Sequence, residues 1–303
     1  MGVISNIYRG LKMFNKKKDR QDLSPEKKNK NLKVGIAFGG GGARGFAHLG
    51  VIKALEEYGV KFDYVAGTSA GSIVGAMYAS GMKYAEMLKL AKQIDVSDIK
   101  TNIIPLMPSK TDGIQKILVN ALGDVNIEDL QLPLAVIAVD YKSTKELIIT
   151  KGNLAKAVAG SCAVPAVFAP VEFGEFNLGD GGMRNNIPTD VPKRFGCDYV
   201  VGVDVNKHRM FGTQSTKMVD VIGCAIRIMG EGNSLRGYLN CDVMIGPETK
   251  RFKATKTDGM LDMIEEGYKE AIDKMPQILE LFGKKPVKAK FKEKYNTDEA
   301  RVI

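Results

Sequence analysis

The sequence of 303 residues predicts an α/β fold, in which helices cover both faces of a mainly parallel central sheet. Two strand, turn and helix units follow one another between residues 32 and 80, and alternation of this kind builds parallel sheets with right-handed crossovers. The composition, with 44% hydrophobic and 26% charged residues, excludes disordered, collagenous and disulfide-scaffold classes. We therefore expect one domain with terminal extensions.

Charge divides the chain into a neutral body and two basic ends. Residues 1–31 carry nine Lys or Arg against three Asp or Glu, residues 284–303 carry seven against three, and residues 32–283 have a net charge of −1. A nucleic-acid enzyme would concentrate positive charge around its groove, so nucleic acid is not expected as a partner. We interpret residues 32–283 as the catalytic or binding domain and residues 284–303 as a basic, flexible tail.

The N-terminal residues predict a basic amphipathic helix followed by a linker. Apolar side chains recur at helical spacing over residues 1–14, the run Lys16–Lys18 lies just beyond them, and residues 15–31 are polar. Such a helix binds in the headgroup plane of an anionic membrane or docks on the protein's own body, and both interpretations remain open. With neither a secretory signal nor an 18-residue apolar run, we expect a cytoplasmic protein, which the membrane-binding interpretation of the helix would place on the inner face of the membrane.

The body opens with a buried strand over residues 32–38, which stops at four glycines and is followed by a helix over residues 47–58. A second apolar strand, residues 62–66, runs into a glycine-flanked serine and then a helix to about Ser80. Further strands are predicted at residues 134–140, 199–204 and 243–245, helices near residues 83–93, 114–122, 153–160, 216–229 and 261–282, and loops over 95–113 and 205–216.

The segment from Gly67 to Gly71 matches G-x-S-x-G between a predicted strand and a predicted helix. A sharp strand-to-helix turn strains the serine backbone, and side chains two residues on either side would collide, so the motif requires glycine at both positions. The hydroxyl then lies over the N-terminus of a helix, whose dipole favours developing negative charge. We predict that Ser69 is a nucleophile, and a tight turn with a capping serine is the alternative.

A run of glycines from Gly39 to Gly42, followed by Arg44, lies one strand and helix earlier. This order in the chain places its backbone beside Ser69 on an adjacent strand. Successive glycine amides form an anion cradle, which for acyl transfer is an oxyanion hole. Arg44 would brace this loop or add positive charge to it.

The same loop also satisfies the nucleotide-binding pattern G-x-G-x-x-G at Gly40, Gly42 and Gly45. A nucleotide-binding protein, with the loop as phosphate cradle, is therefore the alternative from another functional class. Asp63 falls at the distance expected for the ribose-binding acid, but it begins the second strand instead of ending it. Phe46 occupies the position after Gly45 where a Walker A loop requires Lys.

A serine nucleophile needs a base, and few residues can supply one. Asp180 follows a short apolar run and precedes two glycines, which places its carboxylate in a tight turn. His208 lies in a polar loop after a predicted strand, and the order Ser69, Asp180, His208 is that of an α/β-hydrolase triad. His48 lies within the first helix and is interpreted as a packing or capping residue.

The cysteines predict neither a zinc site nor a disulfide framework. They include no C-x-x-C pair, the chain has two histidines, and scattered thiols in a chain of this size fit a reducing compartment. The four positions are Cys162, Cys197, Cys224 and Cys241.

Taken together, these residues resemble the patatin-like phospholipase family over roughly residues 32–250. Four ordered blocks carry the resemblance: residues 39–45 with 47–50, residues 67–71, residues 161–170, and residues 180–182 with Asn185, Asn186 and Pro188. The small and apolar block 161–170 predicts either an acyl groove or core packing. The resemblance implies a three-layer α/β/α patatin-like fold, a modified form of the α/β-hydrolase fold.

The resemblance further implies hydrolysis of acyl esters of phospholipids or lysophospholipids by a Ser–Asp dyad, without a metal or another cofactor. In this sequence Ser69 is then the nucleophile, Asp180 the base, and Gly40, Gly41 and Gly42 the oxyanion loop. The supporting residues are Gly39, Arg44, Gly67, Gly71, Gly181 and Gly182. A triad that uses His208 remains the alternative to the dyad.

Overall fold

A computed structural model describes residues 32–93, 109–207 and 218–283. The predicted N-terminal helix and linker, most of the predicted loop over 95–113, His208 and the basic tail lie outside the described residues. None of the helices in the described ranges has the length and hydropathy needed to cross a bilayer.

Within these ranges the chain forms one eight-stranded mixed sheet. The strands are β1 (Val34–Phe38), β2 (Tyr64–Thr68), β3 (Leu134–Asp140), β4 (Glu146–Ile149), β5 (Val171–Phe173), β6 (Phe176–Asp180), β7 (Tyr199–Val203) and β8 (Val243–Ile245). Their order is β5-β6-β3-β2-β1-β7-β8, with β4 also paired to β3. The pairings among β3, β2, β1, β7 and β8 are parallel, and those that involve β4, β5 and β6 are antiparallel.

The helices of the described residues lie close to their predicted positions. They are α1 (Ala47–Glu57), α2 (Ala70–Ala79), α3 (Tyr84–Ala91), α4 (Asp112–Leu122), α5 (Leu154–Ser161), α6 (Asp190–Arg194), α7 (Met218–Asn240) and α8 (Met260–Leu281). Helix α7 continues eleven residues beyond its predicted end. The short helix α6 and the strands β4, β5 and β6 were not predicted.

The sheet separates two hydrophobic clusters because successive side chains of a strand point to opposite faces. Val34, Ile36 and Phe38 of β1 belong to the larger cluster, which includes residues of α1, α2, α5 and α8. Ala37 lies in the smaller cluster with Val191 of α6. Helices therefore cover both faces of the sheet, as the α/β prediction requires.

Strand register brings three chain segments together at one place. Phe38 at the end of β1 pairs with Gly67 near the end of β2, and Thr68 pairs with Ile137 of β3. The next residue of β3, Ala138, pairs with Asp180 at the end of β6. Because β6 runs antiparallel to β3, its last residue reaches the position where β2 ends.

Candidate active site

Ser69 occupies a strained turn between β2 and α2. Its backbone angles are φ 51° and ψ −127°, a conformation that non-glycine residues rarely adopt. A Cβ atom on Gly67 would lie 2.6 Å from the carbonyl oxygen of Gly71, and one on Gly71 would lie 2.1 Å from that of Phe38. The turn therefore excludes side chains at both flanking positions, for the steric reason that the sequence motif suggested.

Asp180 accepts a hydrogen bond from the Ser69 hydroxyl and a second, at 2.7 Å, from the Gly182 amide to its Oδ1. The residue as a whole is 6% exposed. Burial raises the pKa of Asp180 to about 6, although both hydrogen bonds lower it. The structure thus places a carboxylate with increased basicity against the serine hydroxyl.

The glycine loop passes directly beside Ser69, because a Cβ atom on Gly40 would lie 3.2 Å from the Ser69 Cβ. The Gly39 amide donates to the Val203 carbonyl and the Gly40 amide donates to the Asn186 carbonyl, both at 3.0 Å. Among the described residues, the amides of Gly41 and Gly42 have no hydrogen-bond acceptor. Within the described structure, these two amides are therefore available to an anion, whereas the Gly40 amide is already bonded.

Side chains from distant parts of the chain fix the loop. Arg44 donates from Nε to the Phe252 carbonyl at 2.9 Å and from Nη1 to Asn206 Oδ1 at 3.0 Å. The side-chain Nδ2 of Asn206 in turn donates to the Gly40 carbonyl at 2.6 Å. Arg44 therefore braces the loop. The sequence did not single out Asn206, because its position in a predicted loop gives no sign of a partner 166 residues away.

His48 lies under the same loop, with Nε2 at 2.8 Å from the Gly39 carbonyl oxygen. Burial lowers its pKa to about 4, so the imidazole is neutral at neutral pH and donates its Nε2 proton to this carbonyl. Its Nδ1 is buried without a partner in the described structure. His48 thus supports the loop from helix α1, which agrees with its interpretation as a packing or capping residue.

The glycine loop, the turn at Ser69 and Asp180 all lie within one segment that matches a known protein family. The family model for patatin-like phospholipases matches residues 36–193, which is more than half of the chain. The chain belongs to the patatin-like phospholipase family. The resemblance suggested by the four sequence blocks is therefore confirmed.

This patatin-like chain is similar to the neuropathy target esterase sws of Drosophila melanogaster, with 30% identity over 184 residues. It is also similar to lysophospholipase NTE1 of Eremothecium gossypii, with 32% identity over 179 residues. Each match covers 57% of this chain but only 13% and 12% of those proteins, so the chain corresponds to a small part of their length.

Among solved structures, VipD from Legionella pneumophila matches with a TM-score of 0.57 and 16% identity. The match covers 82% of this chain and 67% of VipD. This similarity confirms the patatin-like α/β fold.

The nucleotide-binding alternative conflicts with the position of Asp63. Its carboxylate accepts the Val34 amide at 2.8 Å, at the beginning of β1, whereas the glycine loop follows the end of that strand. Asp63 therefore lies at the opposite end of β1 from the glycine loop, and its carboxylate cannot reach a ribose bound at that loop.

A metal cluster of His, Cys, Asp and Glu does not occur among the residues that the structure describes. All four cysteines are free thiols. Cys162 lies beside the dyad, where burial raises its pKa and its thiol contacts the Ser69 and Ser72 side chains.

Proposed function

We propose that the protein hydrolyses fatty-acyl esters of phospholipids or lysophospholipids through a Ser69–Asp180 dyad. The observation that carries the proposal is the hydrogen bond from the Ser69 hydroxyl to a buried carboxylate, near two glycine amides that have no acceptor among the described residues. Membership of the patatin-like phospholipase family and similarity to proteins named as an esterase and a lysophospholipase support a lipid ester as substrate.

In the first half of the reaction, Asp180 accepts the Ser69 proton while Oγ forms a bond to the ester carbonyl carbon. The electron pair of the carbonyl double bond moves to oxygen, and the amides of Gly41 and Gly42 donate to this oxyanion. The tetrahedral intermediate then collapses, the bond to the alcohol oxygen breaks, and Asp180 returns the proton to the leaving alcohol. Ser69 is left as an acyl ester.

In the second half, water takes the place of the alcohol. Asp180 removes a proton from the water as its oxygen attacks the acyl carbon, and the same amides receive the second oxyanion. Collapse releases the fatty acid, and the proton on Asp180 returns to Ser69 Oγ. Proton transfer therefore balances without a metal or a further cofactor.

Burial of Asp180 addresses the main weakness of a dyad. A carboxylate with its usual pKa is a poor base for a serine hydroxyl, and a pKa of about 6 brings it closer to the working pH. Each oxyanion donor contributes about 3 kcal/mol in serine hydrolases of other folds. The first turn of α2, which begins at Ala70, adds a favourable dipole beside Ser69.

We propose further that the enzyme works at an anionic membrane surface on the cytoplasmic side. The support is the sequence of residues 1–31, with an amphipathic pattern and a net charge of +6. Each Lys or Arg near such a surface contributes about 1 kcal/mol of binding.

The test of the dyad is ester hydrolysis by purified variants, together with labelling by a fluorophosphonate. Ser69→Ala is expected to abolish both hydrolysis and labelling, and Asp180→Asn to abolish hydrolysis while the protein stays folded. Ser80→Ala is the matched control, because the Ser80 hydroxyl donates to the Met77 carbonyl at the end of its own helix, α2. Activity that survives in Ser69→Ala would overturn the assignment.

His208→Ala separates the dyad from the triad. The dyad predicts turnover close to that of the unmodified protein. A loss as large as that of Asp180→Asn would instead identify His208 as the base and Asp180 as its partner.

A further inference from the structure

The three residues Ser161, Cys162 and Ala163, at the end of α5, contact both members of the proposed dyad. The Ser161 Oγ accepts the Ser69 amide at 2.8 Å, and the Ala163 carbonyl accepts the Asp180 amide at 3.0 Å. The Cys162 thiol contacts the Ser69 side chain from the same segment. One short piece of chain thus holds the nucleophile on one side and the acid on the other.

Ser161 is fully buried, and its hydroxyl is both a hydrogen-bond acceptor and a hydrogen-bond donor. It accepts the Ser69 amide and donates to the Ile137 carbonyl at 2.5 Å. Ile137 lies opposite Thr68, and the next residue of β3 lies opposite Asp180. The hydroxyl therefore connects the nucleophile's backbone to the point on β3 where the strands that carry Ser69 and Asp180 meet.

The left-handed backbone of Ser69 makes this contact important for the direction of its side chain. Ser69 is the first residue after β2, and its buried amide donates to a side chain instead of a neighbouring strand, so this contact satisfies it. Among the described residues, Ser161 Oγ is its acceptor. A shift of this amide would rotate the Cα–Cβ bond and move the Ser69 hydroxyl away from Asp180.

We propose that Ser161 is a positioning residue for hydrolysis, which holds the Ser69 backbone in the conformation that directs the hydroxyl to Asp180. The inference rests on the proposed function of Ser69 and Asp180. It assigns to the block of residues 161–170 a role that is neither acyl groove nor simple core packing. Ser161 touches neither the substrate nor the proton that is transferred.

The test replaces Ser161 by three residues that differ in hydrogen bonding. Ser161→Ala removes the hydroxyl, Ser161→Cys keeps a similar volume but is a weak donor and acceptor, and Ser161→Thr keeps the hydroxyl. Turnover of a soluble p-nitrophenyl ester, fluorophosphonate labelling at Ser69 and thermal unfolding are measured for each. Ser80→Ala, which removes a hydroxyl from a half-buried serine remote from this contact, is the control.

The expected result is a fall in kcat of about 10–100-fold for the Ala and Cys variants, with KM changed less than about twofold. Labelling at saturating probe should slow in parallel, and the Thr variant should be faster than both. Because the hydrogen bond from Ser69 lowers the pKa of Asp180, its loss should also move the acid limb of the pH profile to higher pH.

A wild-type kcat in Ser161→Ala or Ser161→Cys, or a Thr variant no faster than Cys, would overturn the proposal. The proposal would also be overturned if the loss of kcat followed only the melting temperature and disappeared when the assay was run at low temperature. Failure of the proposed function is a different observation, namely a wild-type protein that is inactive or is not labelled at Ser69. The Cys variant keeps the comparison available if Ser161→Ala does not fold.

Discussion

At the scale of single residues, the burial of Asp180 has two opposite consequences. Removal from water raises the pKa of the carboxyl from its usual 3.8 to about 6, which makes it a stronger base for the Ser69 proton. The same burial penalises the charged form of the folded protein. Asp180 therefore favours the proposed reaction and opposes folding at neutral pH, and each effect has its own test.

The rate of ester hydrolysis is expected to depend on the ionisation of Asp180. The base must be deprotonated, so kcat/KM should fall about tenfold per pH unit below pH 6 and reach a plateau above it. A pH profile of the unmodified protein on a soluble ester checks this expectation, with His208→Ala as control. A limb that disappears in His208→Ala would assign the titration to that histidine.

Replacement of Asp180 by Asn is expected to stabilise the fold above pH 6. A raised native pKa means that the folded chain retains a proton that the unfolded chain loses, so wild-type stability decreases between about pH 4 and pH 6. The penalty above pH 6 is on the order of 3 kcal/mol. Melting temperatures of Asp180→Asn and wild type, compared from pH 4 to 8, should diverge as pH rises. Equal melting temperatures at pH 8 would contradict the expectation.

At the scale of elements, the position of the glycine loop depends on the contact between α1 and α8. A Cβ atom on Gly50 of α1 would lie 1.8 Å from the Ile264 carbonyl oxygen, and one on Gly267 of α8 would lie 1.9 Å from that of Ala47. The two backbones touch where side chains would separate them. Since α1 begins directly after the loop, this contact also locates His48 beneath Gly39.

Gly50→Ala is therefore expected to destabilise the protein by about 1–3 kcal/mol, because its methyl group must push α8 away. Gly232→Ala in α7 is the matched control, since a Cβ atom there meets nothing within 4 Å. The control should be neutral or stabilising by up to about 1 kcal/mol, because Ala has the higher helix propensity. Urea unfolding of both variants measures the difference, and similar midpoints would refute the close helix contact.

The strands differ in how well the local sequence predicts them. The parallel strands β1, β2, β3 and β7 are short, continuous apolar runs that stop at turn residues, and this pattern was enough to predict them. Strands β4 and β5 have four and three residues and are partly exposed. Such short segments are extended because they pair with β3 and β6, so their own sequences show no strand pattern.

At the scale of the whole molecule, charge is the property that the sequence distributes most unevenly. The body of residues 32–283 is close to neutral, whereas the two ends are basic. We propose that the N-terminal end brings a neutral hydrolase to a lipid surface, and this can be tested apart from the chemistry.

Deletion of residues 1–20 is expected to weaken sedimentation with anionic vesicles more than it reduces turnover of a soluble ester. Six Lys or Arg are removed, and the attraction of each to the anionic surface is screened by salt. Uncharged phosphatidylcholine vesicles are the control. Equal sedimentation of the deleted and complete chains would exclude a membrane role for this segment.

The sequence by itself determined the fold class and the family, and it predicted Ser69, Asp180 and the glycine loop as the candidate site. Backbone geometry requires glycine at Gly67 and Gly71, in the glycine loop and in the Asp-Gly-Gly turn. These requirements involve neighbouring residues, so they can be recognised as short sequence motifs. Even the order of the helices followed from apolar periodicity, because each amphipathic face must be buried.

Only the tertiary structure decided which groups are paired. Three findings depend on contacts between residues that are distant in the chain. The Gly40 amide is already bonded to Asn186, the side chains of Asn206 and Arg44 hold the loop, and Ser161 holds Ser69. The raised pKa of Asp180 likewise depends on burial by the whole fold. Hydrogen-bond partners and solvent exclusion are properties of the packed chain, and no local pattern encodes them.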